Sequence, residues 1–216
     1  MLSEESRESL GMLAERYHGA LMRPEGSLAL SCLSGRGISG TVIGSFRLGV
    51  VDGSEPDHAE YEGRISIPYV TKLGGVVGFK FRAIEDDGSP KYLSNHMPVR
   101  IYNPLAFERA EQLGYIGITE GEFDAMIATA ECGIPSVGVP GVDTWKSHPE
   151  WRLLFDGFPR VLVFKDQDEP GEKLANRIIA DIDTAVAVSL PLKDVNATFL
   201  EYGAELIRKA AGLDLR

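Results

Sequence analysis

The sequence predicts an α/β protein that begins with a small mixed α+β part and continues with a mostly parallel four-stranded sheet and a short helical tail. Up to about residue 104, extended stretches alternate apolar and polar residues with period two, as antiparallel strands do. Beyond that point, apolar runs alternate with helical periods, which is the pattern of βαβ units. We therefore expect the chain to divide into residues 1–104, 105–193 and 194–216.

Composition limits the classes of protein that fit. The 216 residues include 22 basic and 32 acidic side chains, a formal net charge of -10, which argues against phosphate binding over the whole surface. No apolar run approaches the roughly 18 residues of a membrane span, and the N-terminus is acidic rather than a basic leader. We expect a cytoplasmic protein with no membrane contact. Cys32 and Cys132 form no Cys-x-x-Cys pair, which predicts neither a zinc site nor a disulfide framework.

Three elements are predicted near the N-terminus. A helix is expected from about Ser3 to Leu21, because apolar residues recur there at helical spacing. These residues are Leu10, Leu13, Ala14, Tyr17 and Leu21. A second, short helix is expected over Leu28 to Leu33, and a strand over Phe46 to Val51. The glycine-rich stretch at 35–40 lacks the Gly-Lys-Ser/Thr ending of a P-loop, so we interpret it as a turn.

A β-meander follows, in which two strands flank a turn at Leu73 to Gly75. Their alternating apolar residues are Ile65, Ile67 and Tyr69 in the first strand, and Val77, Phe79 and Phe81 in the second. Period two places Lys80 and Arg82 on the polar face of the second strand, and Arg64 on that of the first. In a hairpin these cations are expected to form one basic surface, with Lys91 on the next extended piece. An ordinary solvated face is the alternative, although such faces usually mix acids with bases.

The second half carries four apolar runs that we predict to be parallel strands. They are Tyr115 to Thr119, Ser136 to Val139, Arg160 to Phe164 and Ala185 to Ser189. Helical periods separate them. The tail from Asn196 to Leu213 is predicted to form one or two helices. Its expected buried residues are Phe199, Leu200, Leu206, Ile207 and Ala210.

Acidic residues stand where three of these strands end. Glu120 follows the first strand, Asp166 and Asp168 follow the third, and Asp194 comes shortly after the fourth. The carboxyl ends of parallel strands meet at one edge of a sheet, so these carboxylates are expected to share a crevice that binds a divalent cation such as Mg²⁺. Asp124, one helical turn beyond Glu120, is expected to face the same crevice. The alternative is that Asp168 and Asp194 only cap the helices that follow them.

These motifs resemble those of a known family. Residues 120–125, Glu-Gly-Glu-Phe-Asp-Ala, look like the glutamate motif of Toprim domains, and residues 166–171, Asp-Gln-Asp-Glu-Pro-Gly, look like the Toprim Asp-x-Asp motif. The upstream half resembles bacterial DnaG-type and phage primases in the order and approximate spacing of further motifs. These motifs are Arg36 to Ser39, Arg64 to Tyr69, Val76 to Arg82, Pro90 to Leu93 and Ile101 to Asn103.

The resemblance implies a Rossmann-like Toprim sheet in residues 105–193 and a role for each matching residue. The catalytic residues that it implies are Glu120, Asp166 and Asp168. The ligands that it implies for Mg²⁺ or Mn²⁺, with no zinc, are Glu120, Asp124, Asp166, Asp168 and Asp194. The residues that it implies for nucleotide and template phosphates are Arg64, Lys80, Arg82 and Lys91. The chain departs from the cellular primases at Asn196, where they carry an aspartate.

The implied function is that of a DNA primase catalytic core, a nucleotidyltransferase that copies single-stranded DNA into short RNA primers from ribonucleoside triphosphates during DNA replication. We expect a protein of bacteriophage or mobile-element type that works in the bacterial cytoplasm and obtains a zinc-binding module or a replicative helicase contact in trans. Two alternatives stay open. One is a Toprim-type metal-dependent nuclease, although small Toprim nucleases generally lack the basic upstream part. The other is a non-catalytic module that binds single strands or a replisome protein.

Overall fold

The computed structural model describes residues 3–86, 88–95 and 97–213. The chain divides into two compact units, Met1–Pro98 and Val99–Arg216. Residues 214–216 of the predicted tail lie outside the described residues. Among the helices in the described ranges, none has the length and apolar character that crossing a membrane requires.

The first unit combines helices with an antiparallel sheet. Its helices are α1 (Glu4–Leu21), α2 (Ser27–Ser34) and α3 (Gly40–Ser45), with 3-10 turns at Pro24–Gly26 and Pro56–Tyr61. Its strands are β1 (Gly49–Val50), β2 (Ile65–Val70), β3 (Val76–Arg82) and β4 (Tyr92–Ser94). The strands pair in the order β1-β2-β3-β4, and each pair is antiparallel.

Helix α1 confirms the first predicted element. Ser3 caps it by accepting a hydrogen bond from the backbone N–H of Ser6, and two glutamates in its first turn complement the helix dipole. Its buried face reaches the sheet through Tyr17, whose ring packs edge-on against Phe79 at a centroid distance of 5.8 Å. The helix therefore supplies one wall of the core of the first unit, and the aromatic residues of β3 supply another.

The strand predicted from Phe46 is shorter than expected. Ser39 caps α3 by accepting from the backbone N–H of Val42, and the helix runs to Ser45. Phe46 then ends the helix, and Arg47 adopts a left-handed conformation with φ of 51°. The chain becomes extended only at β1, because a helical turn and a left-handed residue occupy the start of the predicted strand.

The β-meander differs from the prediction in register. Ile65 pairs with Arg82 and Ile67 pairs with Lys80, so the two cations share a face with these isoleucines. Arg64 has the opposite phase, and the expectation that it joins Lys80 and Arg82 on one surface is wrong. A β-bulge beside Tyr69 and Val70 shifts the pairing of β2 with β3 by one residue. From Gly78 onward, the side chains of β3 therefore lie on the opposite face relative to β2 from the one that a regular hairpin would give them.

The second unit confirms the predicted parallel sheet. Its helices are α4 (Ala106–Leu113), α5 (Glu122–Ala130), α6 (Val142–Ser147), α7 (Glu169–Asp181) and α8 (Val195–Ala210). Its strands are β5 (Tyr115–Thr119), β6 (Ser136–Gly138), β7 (Arg160–Phe164) and β8 (Ala185–Val188), paired in the order β6-β5-β7-β8 and all parallel. A 3-10 segment spans Pro149–Phe155. The core lies between β5, β7 and the apolar faces of α4 and α7.

The helical tail confirms the predicted helix but not all of its buried face. Ile207 is fully buried, whereas Leu200 is 52% exposed and Ala210 is also exposed. Gly203 explains the difference, because its φ of 75° and ψ of -177° interrupt α8. A single helical period cannot continue through such a break, and the residues on either side of Gly203 follow different phases.

Gly49 is expected to tolerate no side chain. A Cβ on Gly49 would lie 2.4 Å from the backbone carbonyl carbon of Tyr17 in α1, a contact that only a backbone shift would relieve. Gly49→Ala should therefore lower the free energy of unfolding by about 1–3 kcal/mol, the usual range for overpacking a core. Urea unfolding followed by circular dichroism measures this change.

Gly44→Ala is the matched control for this substitution. Gly44 lies in α3, and no atom of the described residues is within 4 Å of an added Cβ. Alanine there should leave the free energy of unfolding unchanged or raise it by about 0.5–1 kcal/mol. Equal losses in the two variants would contradict the close approach of α1 to β1.

His58 links stability to pH in the first unit. It shares a hydrogen bond of 2.8 Å with the hydroxyl of Tyr17 and packs against the rings of Tyr61 and Phe81. Burial lowers the pKa of His58 below its usual 6.5, although neighbouring carboxylates act in the opposite direction. These carboxylates belong to Glu55, Asp57 and Glu60.

The unfolded chain therefore binds a proton at His58 at a pH where the folded protein does not. The contribution of neutral His58 to the free energy of unfolding is complete above about pH 6.5, the pKa of histidine in the unfolded chain. It is lost as the pH falls from there toward the pKa of His58 in the folded protein, and the free energy of unfolding changes by at most about 1.4 kcal/mol per pH unit. We expect His58→Gln to lose less stability than the wild type between pH 7.5 and pH 5.5, since the other titrating groups are common to both proteins. Parallel losses in urea unfolding at the two pH values would refute this role.

Candidate metal centre

The acidic residues lie beyond the ends of three neighbouring strands. Glu120 follows β5, Asp166 and Asp168 follow β7, and Asp194 follows β8 after a short loop. Because β5, β7 and β8 are adjacent and parallel, their carboxyl ends open at the same edge of the sheet. Asp124 joins them from the first turn of α5. The structure thus places all five acids predicted from the sequence in one region.

The charges of these carboxylates act on one another. Burial raises the pKa of Asp166 to about 8, and the charges of Asp124, Glu120, Asp194 and Asp168 add to that effect. Burial also raises the pKa of Asp124 to about 7, with Asp194 as the next cause. The pKa of Glu120 is raised by burial and by the charge of Asp168. Each ionised carboxylate therefore makes ionisation of the others less favourable.

The donor set suits a hard divalent cation. All five groups offer carboxylate oxygens, which Mg²⁺ and Mn²⁺ prefer, and a cation would relieve the repulsion that raises the pKa of Asp166. Among the described residues, no three acidic, histidine or cysteine side chains are grouped so that together they could hold a metal ion. Mg²⁺ usually binds through one or two carboxylates and keeps several waters, so the residues fit an ion of that kind.

Two of the acids also cap helices, as the structural alternative proposed. Asp168 accepts a hydrogen bond of 2.9 Å from the N–H of Gly171 at the start of α7. Asp194 accepts one of 2.7 Å from the N–H of Ala197 at the start of α8. Each of these bonds uses one oxygen, Oδ1, of a carboxylate that has two. Capping is therefore compatible with metal ligation by the same side chains.

The glycine that trails the Asp-x-Asp motif has a steric role. A Cβ on Gly171 would lie 2.6 Å from Cβ of Asp166 and 2.9 Å from its carbonyl oxygen. The first turn of α7 packs directly on Asp166, which only a residue without a side chain allows. The glycine in the motif thus follows from the close approach of the helix to the acidic loop.

Two hydrogen bonds from backbone N–H groups hold the acidic segments in place, and no sequence pattern indicates them. The backbone N–H of Asn196 donates to Oδ1 of Asp124 at 2.8 Å, which joins α8 to α5. Gln167 donates from its backbone N–H to the carbonyl of Lys193 at 2.8 Å, which joins the Asp-x-Asp loop to the loop before Asp194. Gln167 occupies the variable position of its motif, so no pattern could mark it.

Glu122 is a second residue whose place the sequence does not reveal. It follows Glu120 by two positions and has the pattern of a surface acid at the start of a helix, yet it is 5% exposed. Its charge contributes to the raised pKa values of Asp124 and Tyr102. A sixth carboxylate thus lies near the acidic edge, which we define as Glu120, Asp124, Asp166, Asp168 and Asp194.

The first unit carries a basic cluster, which we define as Lys80, Arg82 and Lys91 around the ring of Tyr92. The charged ends of these residues lie 4.5, 5.1 and 5.9 Å from the ring centroid, within reach of cation–π attraction. Arg82 also donates from Nη1 to the hydroxyl of Tyr92. The pairing of Arg82 with Tyr92 across β3 and β4 places both side chains on one face.

Arg64 is engaged differently from the basic cluster. Its guanidinium donates to the carbonyl of Pro90 at 2.7 Å and to the hydroxyl of Ser89 at 2.8 Å. It lines a cavity of about 410 Å³ that is also lined by the acids Glu60, Glu62 and Glu85. The structure therefore brings three of the four predicted phosphate-binding cations together and places Arg64 beside the turn that precedes Lys91.

The sequence is similar to those of known proteins. The chain is 37% identical over 155 residues to the Gene 57 protein of Mycobacterium phage D29, an alignment that covers 68% of this chain and 97% of that protein. It is 29% identical over 164 residues to the DNA primase of Thermotoga maritima, which covers 69% of this chain and 28% of the primase. No family model matches the chain.

Solved structures share the fold. A DnaG primase catalytic domain bound to single-stranded DNA superposes with a TM-score of 0.76 at 20% identity, over 95% of this chain and 77% of that domain. The chain spans only 28% to 31% of the length of the DNA primases it matches in sequence. From the identity to the phage protein and the shared fold, we conclude that the chain belongs to the same family as the Gene 57 protein of Mycobacterium phage D29 and has the fold of DnaG primase catalytic cores.

Proposed function

We propose that this protein is the catalytic core of a DNA primase, and that it makes short RNA primers on single-stranded DNA by metal-dependent nucleotidyl transfer. The observation that carries the proposal is the convergence of five carboxylates at one sheet edge, two of them with pKa values raised to about 7 and about 8. Such a cluster is unfavourable without a cation and serves a reaction that needs one. The similarity to DNA primases in sequence and to DnaG catalytic domains in fold supports the same conclusion.

Each of the five acids would approach the metal from a different part of the sheet edge. Glu120 and Asp124 would hold Mg²⁺ or Mn²⁺ from the β5–α5 side, Asp166 and Asp168 from the β7–α7 side, and Asp194 from the start of α8. When bound, the metal would supply stabilisation of the negative charge that develops as a ribose 3′-hydroxyl attacks an α-phosphate and pyrophosphate leaves. Glu120, Asp166 and Asp168 are proposed as the catalytic residues, since they lie beyond the carboxyl ends of the two central strands, β5 and β7.

The basic cluster would hold the phosphates of ribonucleoside triphosphates or of the template. Arg82 is 4% exposed and bonded to Tyr92, so its guanidinium is oriented before any ligand arrives. Lys91 is exposed and suits contact with a flexible nucleic-acid backbone. Arg64 would act by holding the turn at Ser89 and Pro90 that precedes Lys91. A template role agrees with the structural relative that is bound to single-stranded DNA.

Other components would complete priming. The matched primases are about three times longer than the matched region, since the chain spans 28% to 31% of them. We propose that a zinc-binding module contributes start-site choice and a replicative helicase contributes recruitment, in the cytoplasm of a bacterial host. The template and the ribonucleoside triphosphates are the partners on which the proposed reaction itself depends.

Loss of the Asp-x-Asp carboxylates should abolish primer synthesis. We expect purified wild type, single-stranded DNA, labelled ribonucleotides and Mg²⁺ or Mn²⁺ to give short template-dependent RNA on a denaturing gel. The double variant Asp166→Asn, Asp168→Asn should make at least about 100-fold less, because its neutral amides no longer hold the cations. Asp143→Asn, at an exposed residue of α6, is the control that should remain active.

The products of the same reaction separate the alternatives. Metal-dependent cutting of the DNA without RNA synthesis would contradict the primase proposal and favour a Toprim-type nuclease, since water can take the place of the ribose hydroxyl as the attacking group. Neither product, with single-strand binding retained, would replace it by a non-catalytic binding module. Equal amounts of RNA product from the wild type and the double variant would show that Asp166 and Asp168 are not needed for synthesis.

The basic cluster should contribute salt-dependent binding. Lys80→Ala with Lys91→Ala is expected to weaken binding of single-stranded DNA and to reduce the slope of log K against log salt by up to about 1.4, roughly 0.7 for each lost phosphate contact. Fluorescence anisotropy of a labelled oligonucleotide at several salt concentrations measures both quantities. Lys146→Ala on α6 is the control, and a slope that changes equally in both proteins would contradict the assignment.

A further inference from the structure

Gln167 makes two hydrogen bonds to one neighbouring loop. Its backbone N–H donates to the carbonyl of Lys193 at 2.8 Å, and its side-chain Nε2 donates to the carbonyl of Leu190 at 2.5 Å. The residue stands between Asp166 and Asp168, and its acceptors belong to the loop that joins β8 to α8. One amide side chain thus connects two of the segments that carry acids.

The side-chain bond replaces a bond of the sheet. In the parallel pair β7–β8, the N–H of Val161 donates to Thr184 and that of Lys165 donates to Val188, so a regular ladder would next join the N–H of Gln167 to Leu190. The side-chain amide takes the Leu190 carbonyl instead. The backbone N–H is then available for Lys193, three residues farther along.

This exchange holds the backbone directly before Asp194, the residue that caps α8. Lys193, whose carbonyl is held by Gln167, directly precedes Asp194. Asp194 then caps the helix through Ala197, and the N–H of Asn196 donates to Asp124. The segment from 190 to 196 is therefore held on one side by the Asp-x-Asp loop and on the other by α5.

We propose that Gln167 is a positioning residue, which places Asp194 near Asp166 and so sets the affinity of the acidic edge for divalent cations. The inference rests on the proposed metal-dependent function. The proposed role requires the side chain of residue 167 to carry a hydrogen-bond donor and to be long enough to reach the carbonyl of Leu190. Methionine has nearly the same length without a donor, and asparagine has the donor but is one methylene shorter.

The primary test is a Mn²⁺ titration by isothermal calorimetry. We expect Gln167→Met to bind Mn²⁺ about 10-fold more weakly than the wild type, the lower end of the range for residues that orient metal ligands. Gln167→Asn should weaken binding in the same direction and serves if the methionine variant does not fold. Gln112→Met, an exposed glutamine on α4, is the control and should bind as the wild type does.

A double-mutant cycle shows whether Gln167 acts through Asp194. If it does, Gln167→Met should add little to the loss caused by Asp194→Asn, because the positioned carboxylate is already gone. A purely structural role would leave the two effects independent. Effects that multiply, or wild-type affinity in both Gln167 variants, would overturn the proposal.

The same titration separates this inference from the proposed function. Wild-type Mn²⁺ binding that is lost in Asp166→Asn, Asp168→Asn but kept in both Gln167 variants would refute only the role of Gln167. Wild-type protein that binds no Mn²⁺, or a double variant that binds as well as the wild type, would refute the metal centre and the role of Gln167 together.

Discussion

Repulsion among half-buried carboxylates is the constraint on which the second unit depends. Asp166 and Asp124 lie near enough to other acids, and sufficiently removed from water, for their pKa values to reach about 8 and about 7. The parallel sheet fixes the strand ends from which these loops start, and backbone N–H groups hold Asp124, Asp168 and Asp194. The fold therefore keeps mutually repelling charges in fixed positions, which is the preorganisation that a cation site requires.

Helix capping and metal ligation are not competing explanations for Asp168 and Asp194. Each aspartate directs one oxygen to the first turn of a helix, and that bond restricts the rotamer of the whole carboxylate. The second oxygen then has a defined direction, and in Asp194 it also lies 3.8 Å from Nζ of Lys193. The close packing of Gly171 on Asp166 acts in the same way, since it fixes the loop that carries both acids of the Asp-x-Asp motif.

In the first unit, an aromatic ring lies among positively charged side chains. Tyr92 presents its ring to Lys80, Arg82 and Lys91, so that each cation gains attraction to the ring while the cations stay near one another. The β-bulge near Tyr69 decides which side chains belong to this group, because it sets the phase of β3 against β2. Arg64 is left on the opposite phase and stabilises the turn at Pro90 instead.

The α/β class, the parallel strands of the second unit and the positions of Glu120, Asp166 and Asp168 after two of those strands follow from the amino-acid order alone, because apolar period and strand polarity are local properties of the chain. The register of the meander, the interruption of α8 at Gly203 and the bonds of Gln167 do not follow from it. Those features depend on which backbone groups meet across elements far apart in the sequence. A bulge, a left-handed glycine or a side chain that replaces a ladder bond changes these partners while the local pattern stays the same, and for that reason they emerge only when the chain is folded.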